Sequence, residues 1–190
     1  MQPSQCSVVA LAGRRVDTPS AKPSRFPSAN APSVRRELKD FFSSENILAL
    51  VSSAACGADL IALEEAERLN IRRRIILPFC PREFRNTSVT DRGKEWGPVF
   101  DRLIGTADRQ GDLVVLQYPA ESDEKAYAAT NKIIIHEAKA LARQLPGGPH
   151  RLVAVIAWEG AAKSGIDNTD EFRRLARATG FDKGHIIKTR

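Results

Sequence analysis

Short apolar runs recur along this chain, each ended by glycine, proline or polar residues, and stretches with helical spacing separate them. The runs at 7–12, 47–52, 74–78, 112–117 and 152–158 have the length of buried strands and predict strands. Residues 33–42 predict a helix capped by Ser33, because Val34, Leu38 and Phe41 fall on one face. Residues 59–70 predict a second, with Leu60, Leu63 and Ala66 inside and Glu64, Glu65 and Arg68 outside. A third is expected over 94–108, although Gly97-Pro98 interrupts its start. The longest helical pattern runs over 125–145, and the last over 169–179, ended by Gly180. Residues 185–188 suit a small final strand.

Strands alternating with helices predict a parallel sheet. The runs LVVL and LVAVIAW are apolar throughout instead of alternately, as in strands covered on both faces. The expected fold is α/β: a three-layer, Rossmann-like open parallel sheet of about five strands with helices on both faces. The 190 residues show no repeat and no break in composition, so a single domain is expected over 1–190. Residues 17–33 carry Pro19, Pro23, Pro27 and Pro32 and are expected to form a long loop after the first strand, functional or mobile.

At 42% hydrophobic and 27% charged residues, the chain is neither disordered nor fibrous by composition. No apolar run approaches the roughly 18–20 residues of a membrane span. No basic region precedes the first apolar run, so no signal peptide is expected. Cys6, Cys56 and Cys80 form no CxxC or Cys/His ligand spacing, which suggests reduced thiols in a cytoplasmic protein and no metal site. The net charge of +6 is unevenly placed. Arg14, Arg15, Lys22, Arg25, Arg35 and Arg36 face only Asp17 within residues 1–36, and the remainder is close to neutral. Such a cluster suits a phosphorylated ligand, nucleic acid or an acidic partner, or is simply a solvated loop.

In an open parallel sheet, ligands bind outside the carboxyl ends of the strands. That rule selects Gly13-Arg14-Arg15 after the first strand, and Ser52-Ser53-Ala54-Ala55-Cys56-Gly57-Ala58-Asp59 after the second. Small residues that lead into a helix allow backbone N–H groups to approach an anion. Ser52 and Ser53 add hydroxyls, and guanidinium forks such as those of Arg14 and Arg15 match phosphate. The competing reading is a tight turn with Asp59 as an N-cap. Neither GxGxxG nor GxxxxGK[ST] is present.

VALAGRR resembles the first-strand end of the Smf/DprA–LOG (SLOG) superfamily, and VSSAACGADLIALEEAERLNIRRRIILP resembles its next unit, a small-residue S-x-x-A-x-G-x-D turn entering an alanine-rich helix. GDLVVLQ and the helix after it resemble the later half, so the likeness spans about residues 7–160. The superfamily holds DNA-uptake proteins, phosphoribohydrolases and domains that sense nucleotide-derived ligands. The resemblance implies a ligand class more than an activity. The PGGxGTxxE signature of the hydrolase branch is absent: Pro146-Gly147-Gly148-Pro149 is followed by no GTxxE. The chain is therefore more similar to the sensor-type members.

Three functions follow. The first is binding or sensing of a phosphorylated, nucleotide-derived small molecule by Gly13, Arg14, Arg15, Ser52, Ser53, Gly57, Ala58, Asp59 and Asn131, with no cofactor required and a bound nucleotide or phosphate, or an effector protein, as partner. The second is cleavage of a nucleotide's N-glycosidic bond, with Glu159 or Asp59 as the acid. The third, single-stranded nucleic-acid binding, ranks last because the body is nearly neutral and aromatics are only 6%. Arg82, Arg85, Asn86, Thr87 and Ser88 either close over a phosphate or form an exposed loop. Phe26 either stacks on a base or pins its loop, and Ile133, Ile134 and Ile135 serve either a homodimer interface or the domain's own core.

Overall fold

The computed structural model describes residues 6–119 and 123–190. Its sheet has six parallel strands: β1 (Ser7–Gly13), β2 (Ile47–Ser52), β3 (Arg72–Leu77), β4 (Leu113–Val115), β5 (Arg151–Trp158) and β6 (Asp182–Lys188). The helices are α1 (Ala31–Ser44), α2 (Ala58–Arg68), α3 (Pro81–Phe84), α4 (Trp96–Arg109), α5 (Asp123–Gln144) and α6 (Asn168–Ala178). The fold is thus the expected three-layer α/β architecture, with one more full strand than the five anticipated.

The spatial order is β4-β3-β2-β1-β5-β6. The chain steps outward from β1 to β4, and α5 then carries it back across the sheet to β5, on the free side of β1. Right-handed crossovers demand that reversal of direction also change the face on which the helices lie. Accordingly α1, α2 and α4 share one core with Val9 and Leu11, while α5 and α6 share the other with Val8 and Ala10. The alternation along β1 is the two-residue period of a strand buried on both faces. Ile134 and Ile135 of α5 lie in this second core, with Ile133 packed against it, so they fill the domain itself.

Several elements differ from the pattern-based expectation, each for a local reason. β6 begins at Asp182, before the apolar residues, because a register shift between Val153 and Val155 of β5 absorbs its first residues. β4 has three residues, and the Asp112 carboxylate before it receives Arg72 Nε at 2.8 Å and Arg74 Nε at 3.1 Å. The stretch after β3 is no open connection: α3 runs into a π-helical turn, Arg85–Val89. Phe79, Phe84 and Val89 recur every fifth residue and are fully buried, a spacing that fits neither an α-helix nor a strand.

The loop expected over residues 17–33 is shorter, because a helical turn at Ser28–Asn30 leads into α1 at Ala31, and it is fastened at several points. The Asp17 carboxylate accepts the backbone N–H groups of Arg25 at 2.9 Å and Phe26 at 3.0 Å. Phe26 is fully buried, so it pins the loop and presents no stacking face. Thr189 Oγ1, just after β6, donates to the Arg25 carbonyl at 2.8 Å.

Candidate functional site

The strand order reverses between β1 and β5, and the connections that leave their carboxyl ends run to opposite faces of the sheet, as at the switch points where open α/β sheets hold ligands. A cleft of about 300 Å³ lies there. Its floor is the β1 end, Gly13, Arg14 and Arg15, and its sides are Ser53, Asp59, the π-turn residue Ser88, and Tyr127, Thr130 and Asn131 of α5. Arg92 and Lys163 close it from opposite loops. Six of the residues anticipated from sequence therefore meet in one cavity: Gly13, Arg14, Arg15, Ser53, Asp59 and Asn131. Ser52, Gly57, Ala58 and Glu159 lie behind its lining.

The small-residue turn has a different use from the one its composition suggests. Gly57 adopts φ +108°, and a Cβ there would come within 2.7 Å of Val16 N and 2.8 Å of Arg14 O. The glycine admits the backbone after β1, with which it forms a bridge at Arg15. Ala58 N–H donates to Arg14 O at 3.1 Å, Cys56 N–H to Ser88 O at 3.0 Å and Leu60 N–H to Ala55 O at 3.3 Å. The protein's own carbonyls take these three donors, which leaves them unavailable to an anion. Gly13 is equally constrained, since a Cβ would stand 2.4 Å from that of Ala58. Asp59 lies inside α2 and does not cap it; Gly57 is the N-cap.

Arg14 is not free for a ligand either. It is 4% exposed and holds two carboxylates: Nε donates to Glu159 at 2.7 Å, and Nη1 and Nη2 to Asp167 at 2.6 and 2.9 Å. Arg25 binds the other side of Glu159. Asp167 also accepts Lys163 N–H at 2.8 Å and, as the N-cap of α6, Thr169 N–H at 3.1 Å and Asp170 N–H at 3.2 Å. Burial opposes ionisation of Asp167, but Arg14 and these N–H groups outweigh it and hold the carboxyl down at about 2. The same contest lowers Glu159: burial raises it, while hydrogen bonds from Arg14 and Arg25 prevail. The cluster fastens the loop after β5 to the end of β1. Farther out, Arg35 pairs with Glu64 at 2.7 Å and Glu65 at 2.6 Å. Much of the basic excess near the N-terminus is thus matched internally.

The uncommitted polarity lies elsewhere in the cleft. The buried Nε atoms of Arg15 and Arg92 have no hydrogen-bond partner among the described residues. Both side chains are anchored all the same: Arg15 to Asp91 and to Cys56 Sγ at 3.6 Å, and Arg92 by Nη1 to Val16 O at 2.6 Å and by Nε in an ion pair with Asp91 at 3.9 Å. Burial and the Arg15 charge both lower the Arg92 pKa. Burial and the Arg14 charge do the same to Lys163, with Arg25 and Arg92 adding to the effect. Asp59 is 7% exposed; its Oδ2 accepts Ala55 N–H at a long 3.4 Å, and the Gly13 N–H also bears on its carboxylate. Burial pushes its carboxyl up to about 7, against the pull of the Ala55 and Gly13 N–H groups and the Arg15 charge. Ser53 Oγ is buried without a hydrogen-bond partner among the described residues.

Asn131 faces the cleft but gives its Nδ2–H to Asn168 O at 2.8 Å, which joins α5 to the start of α6. Of the polar run after β3, Ser88 reaches the cleft and shares a 2.6 Å hydrogen bond with Tyr127, while Arg85 turns away to Asp101 at 2.8 Å. Cys56 is buried and its thiol is pushed up by burial despite Arg15, which leaves it unsuited to nucleophilic work. Sequence reasoning missed Arg92 and Lys163. Both lie on loops at the carboxyl edge, where the switch-point rule directs attention, but no local pattern marks them. Among the described residues no cluster of His, Cys, Asp and Glu could hold a metal ion, and no helix is long and apolar enough to cross a membrane. No protein-family model matches the chain, and no curated protein matches it.

Proposed function

We propose that the protein binds a phosphorylated, nucleotide-derived small molecule in the cleft at the carboxyl end of β1, its anionic group held by Arg15 and Arg92. The observation that carries this reading is the convergence of Arg15, Arg92 and Lys163 on one cavity, where burial and neighbouring positive charges lower the pKa values of Arg92 and Lys163. An anion in the cleft would relieve the repulsion among these charges and accept charge-assisted hydrogen bonds from them. Cleft volume favours a mononucleotide or sugar phosphate, since about 300 Å³ is at the small end of ligand sites. Likeness to the sensor-type SLOG domains points to the same ligand class. Cys6, Cys56 and Cys80 are unpaired, which accords with action in a reducing cytoplasm.

The test is thermal unfolding with nucleoside monophosphates, ADP-ribose, cyclic dinucleotides, ribose 5-phosphate and inorganic phosphate. Arg92→Ala is expected to remove the ligand's stabilising shift while leaving the unliganded protein folded. Absence of a shift with every anion would overturn the reading.

Asp59 favours a second reading, hydrolysis of an N-glycosidic bond. Its place in the cleft lining and a pKa of about 7 suit it to take a proton from water as that water attacks C1′ and the base leaves with the C1′–N electron pair. Glu159 lacks these properties. Release of free base from a nucleoside monophosphate, abolished by Asp59→Asn and retained by Glu159→Gln, is the expected signature.

A further inference from the structure

Asp59 is a buried acid at the edge of the same cleft in which Arg15 and Arg92 would hold an anion. We infer that anion binding in the cleft is coupled to protonation of Asp59, so that the ligand and a proton are taken up together and affinity falls as pH rises. This inference rests on the anion site proposed for Arg15 and Arg92 and adds its regulation by pH.

The coupling needs no contact between Asp59 and the anion. The Ala55 and Gly13 N–H groups already occupy the carboxylate, and what reaches the cleft is its charge. Among the described residues, Arg15 is the charged side chain that bears on Asp59, and the Arg15 backbone bridges to Gly57, two residues ahead of it. An anion on Arg15 offsets the charge that favours an ionised Asp59 and brings a like charge beside it. In a cavity of about 300 Å³ the anion lies roughly 10 Å or less from the carboxyl, where like charges disfavour each other by roughly tenfold or more. Burial brings this carboxyl to about 7 without an anion, so the exchange falls in the neutral range. The other charged groups around the cleft are committed. Arg14 holds Glu159 and Asp167, Arg25 holds Glu159, Asp91 pairs with Arg15 and Arg92, and Asp17 accepts N–H groups of its own loop. From α5 come the Tyr127 phenol and no charged side chain. Burial pushes the Cys56 thiol up and keeps it protonated, which leaves Lys163, with its lowered pKa, as the rival source of a pH effect. Hydrolysis with Asp59 as the base makes the opposite demand, an ionised Asp59 in the complex.

Calorimetric titration of the intact protein with sulfate tests the inference, because sulfate mimics a phosphate dianion and, unlike phosphate, does not itself titrate near neutrality. Wild type is expected to bind sulfate roughly tenfold more weakly at about pH 8.5 than at about pH 6.5. Heats measured at about pH 8 in two buffers of different ionisation enthalpy should report net proton uptake on binding, a readout that needs no variant. Asp59→Asn, neutral at every pH, should keep the low-pH affinity of wild type throughout and take up no proton. Lys163→Met should bind more weakly and retain the pH dependence. A wild-type affinity that does not change with pH, or a fall that persists in Asp59→Asn, would overturn the coupling and leave the anion site standing. Failure of wild type to bind sulfate, phosphate or any nucleotide at either pH would overturn the anion site and this inference with it.

Discussion

Asp59 and Glu159 are both acids at the carboxyl edge of the sheet, and their surroundings drive them in opposite directions. Glu159 lies between two guanidinium groups and stays ionised. Asp59 has only the Arg15 charge and two backbone N–H groups against full burial, and its pKa rises to about 7. A folded-state pKa raised above the unfolded value of about 3.9 means that the folded protein holds the proton more tightly. Stability from this group is complete below about pH 4 and is lost as pH rises through about 7. Asp59→Asn is therefore expected to stabilise the protein at about pH 8, by up to about 4 kcal/mol, and to have little effect at about pH 4; denaturant titrations at both values check this. Asp167 has the reverse sign. Its depressed pKa makes its stabilisation full above about pH 4 and lost as pH falls toward about 2. Asp167→Asn should cost roughly 3 kcal/mol at neutral pH, because Arg14 would keep one carboxylate instead of two and α6 would have a weaker cap.

The turn from β2 into α2 shows how an element's sequence can fit two purposes. Gly57→Ala should destabilise the fold by well over 1 kcal/mol in chemical denaturation, since it meets both a positive φ and the Val16 and Arg14 backbone. The same substitution would also be harmful in an anion cradle, so composition alone could not tell the two apart. What distinguishes them is the partner strand, and the approach of residues 14–16 to Gly57 is a tertiary contact that no local window contains. The elements that were legible carry their own periodicity: the strands β1, β2 and β5, and the helix α5 with its isoleucines. The illegible ones depend on distant groups. Phe79, Phe84 and Val89 take a five-residue spacing because a π turn lets all of them reach one core. In the site, Ser53 and Asp59 of the turn were visible because sheet topology predicts where they lie. The commitment of Arg14 to Glu159 and Asp167, some 150 residues away in sequence, was not.

Across the whole molecule, the ends of β1, β5 and β6 are held together around the cleft by one connected network. Arg25 binds Glu159, which binds Arg14, which binds Asp167. From the other side Thr189, fully buried after β6, holds the Arg25 carbonyl through its hydroxyl, and Asn30 Nδ2 donates to the Thr189 carbonyl at 3.1 Å. Arg25 itself lines the cleft, so the last strand positions a residue of the first loop at the ligand site. Coupling of this kind is reciprocal: whatever orders the loop favours the ligand, and the ligand orders the loop by the same factor. Thr189→Val keeps the shape and removes the hydroxyl, at an expected cost of about 1 kcal/mol. It should also speed tryptic cleavage after Arg25 and weaken a cleft ligand several-fold, while saturating ligand slows cleavage in both proteins. If cleavage after Arg25 is unaffected by Thr189→Val and by ligand alike, the loop is held by Asp17 and Phe26 alone, and the far edge of the sheet has no part in binding.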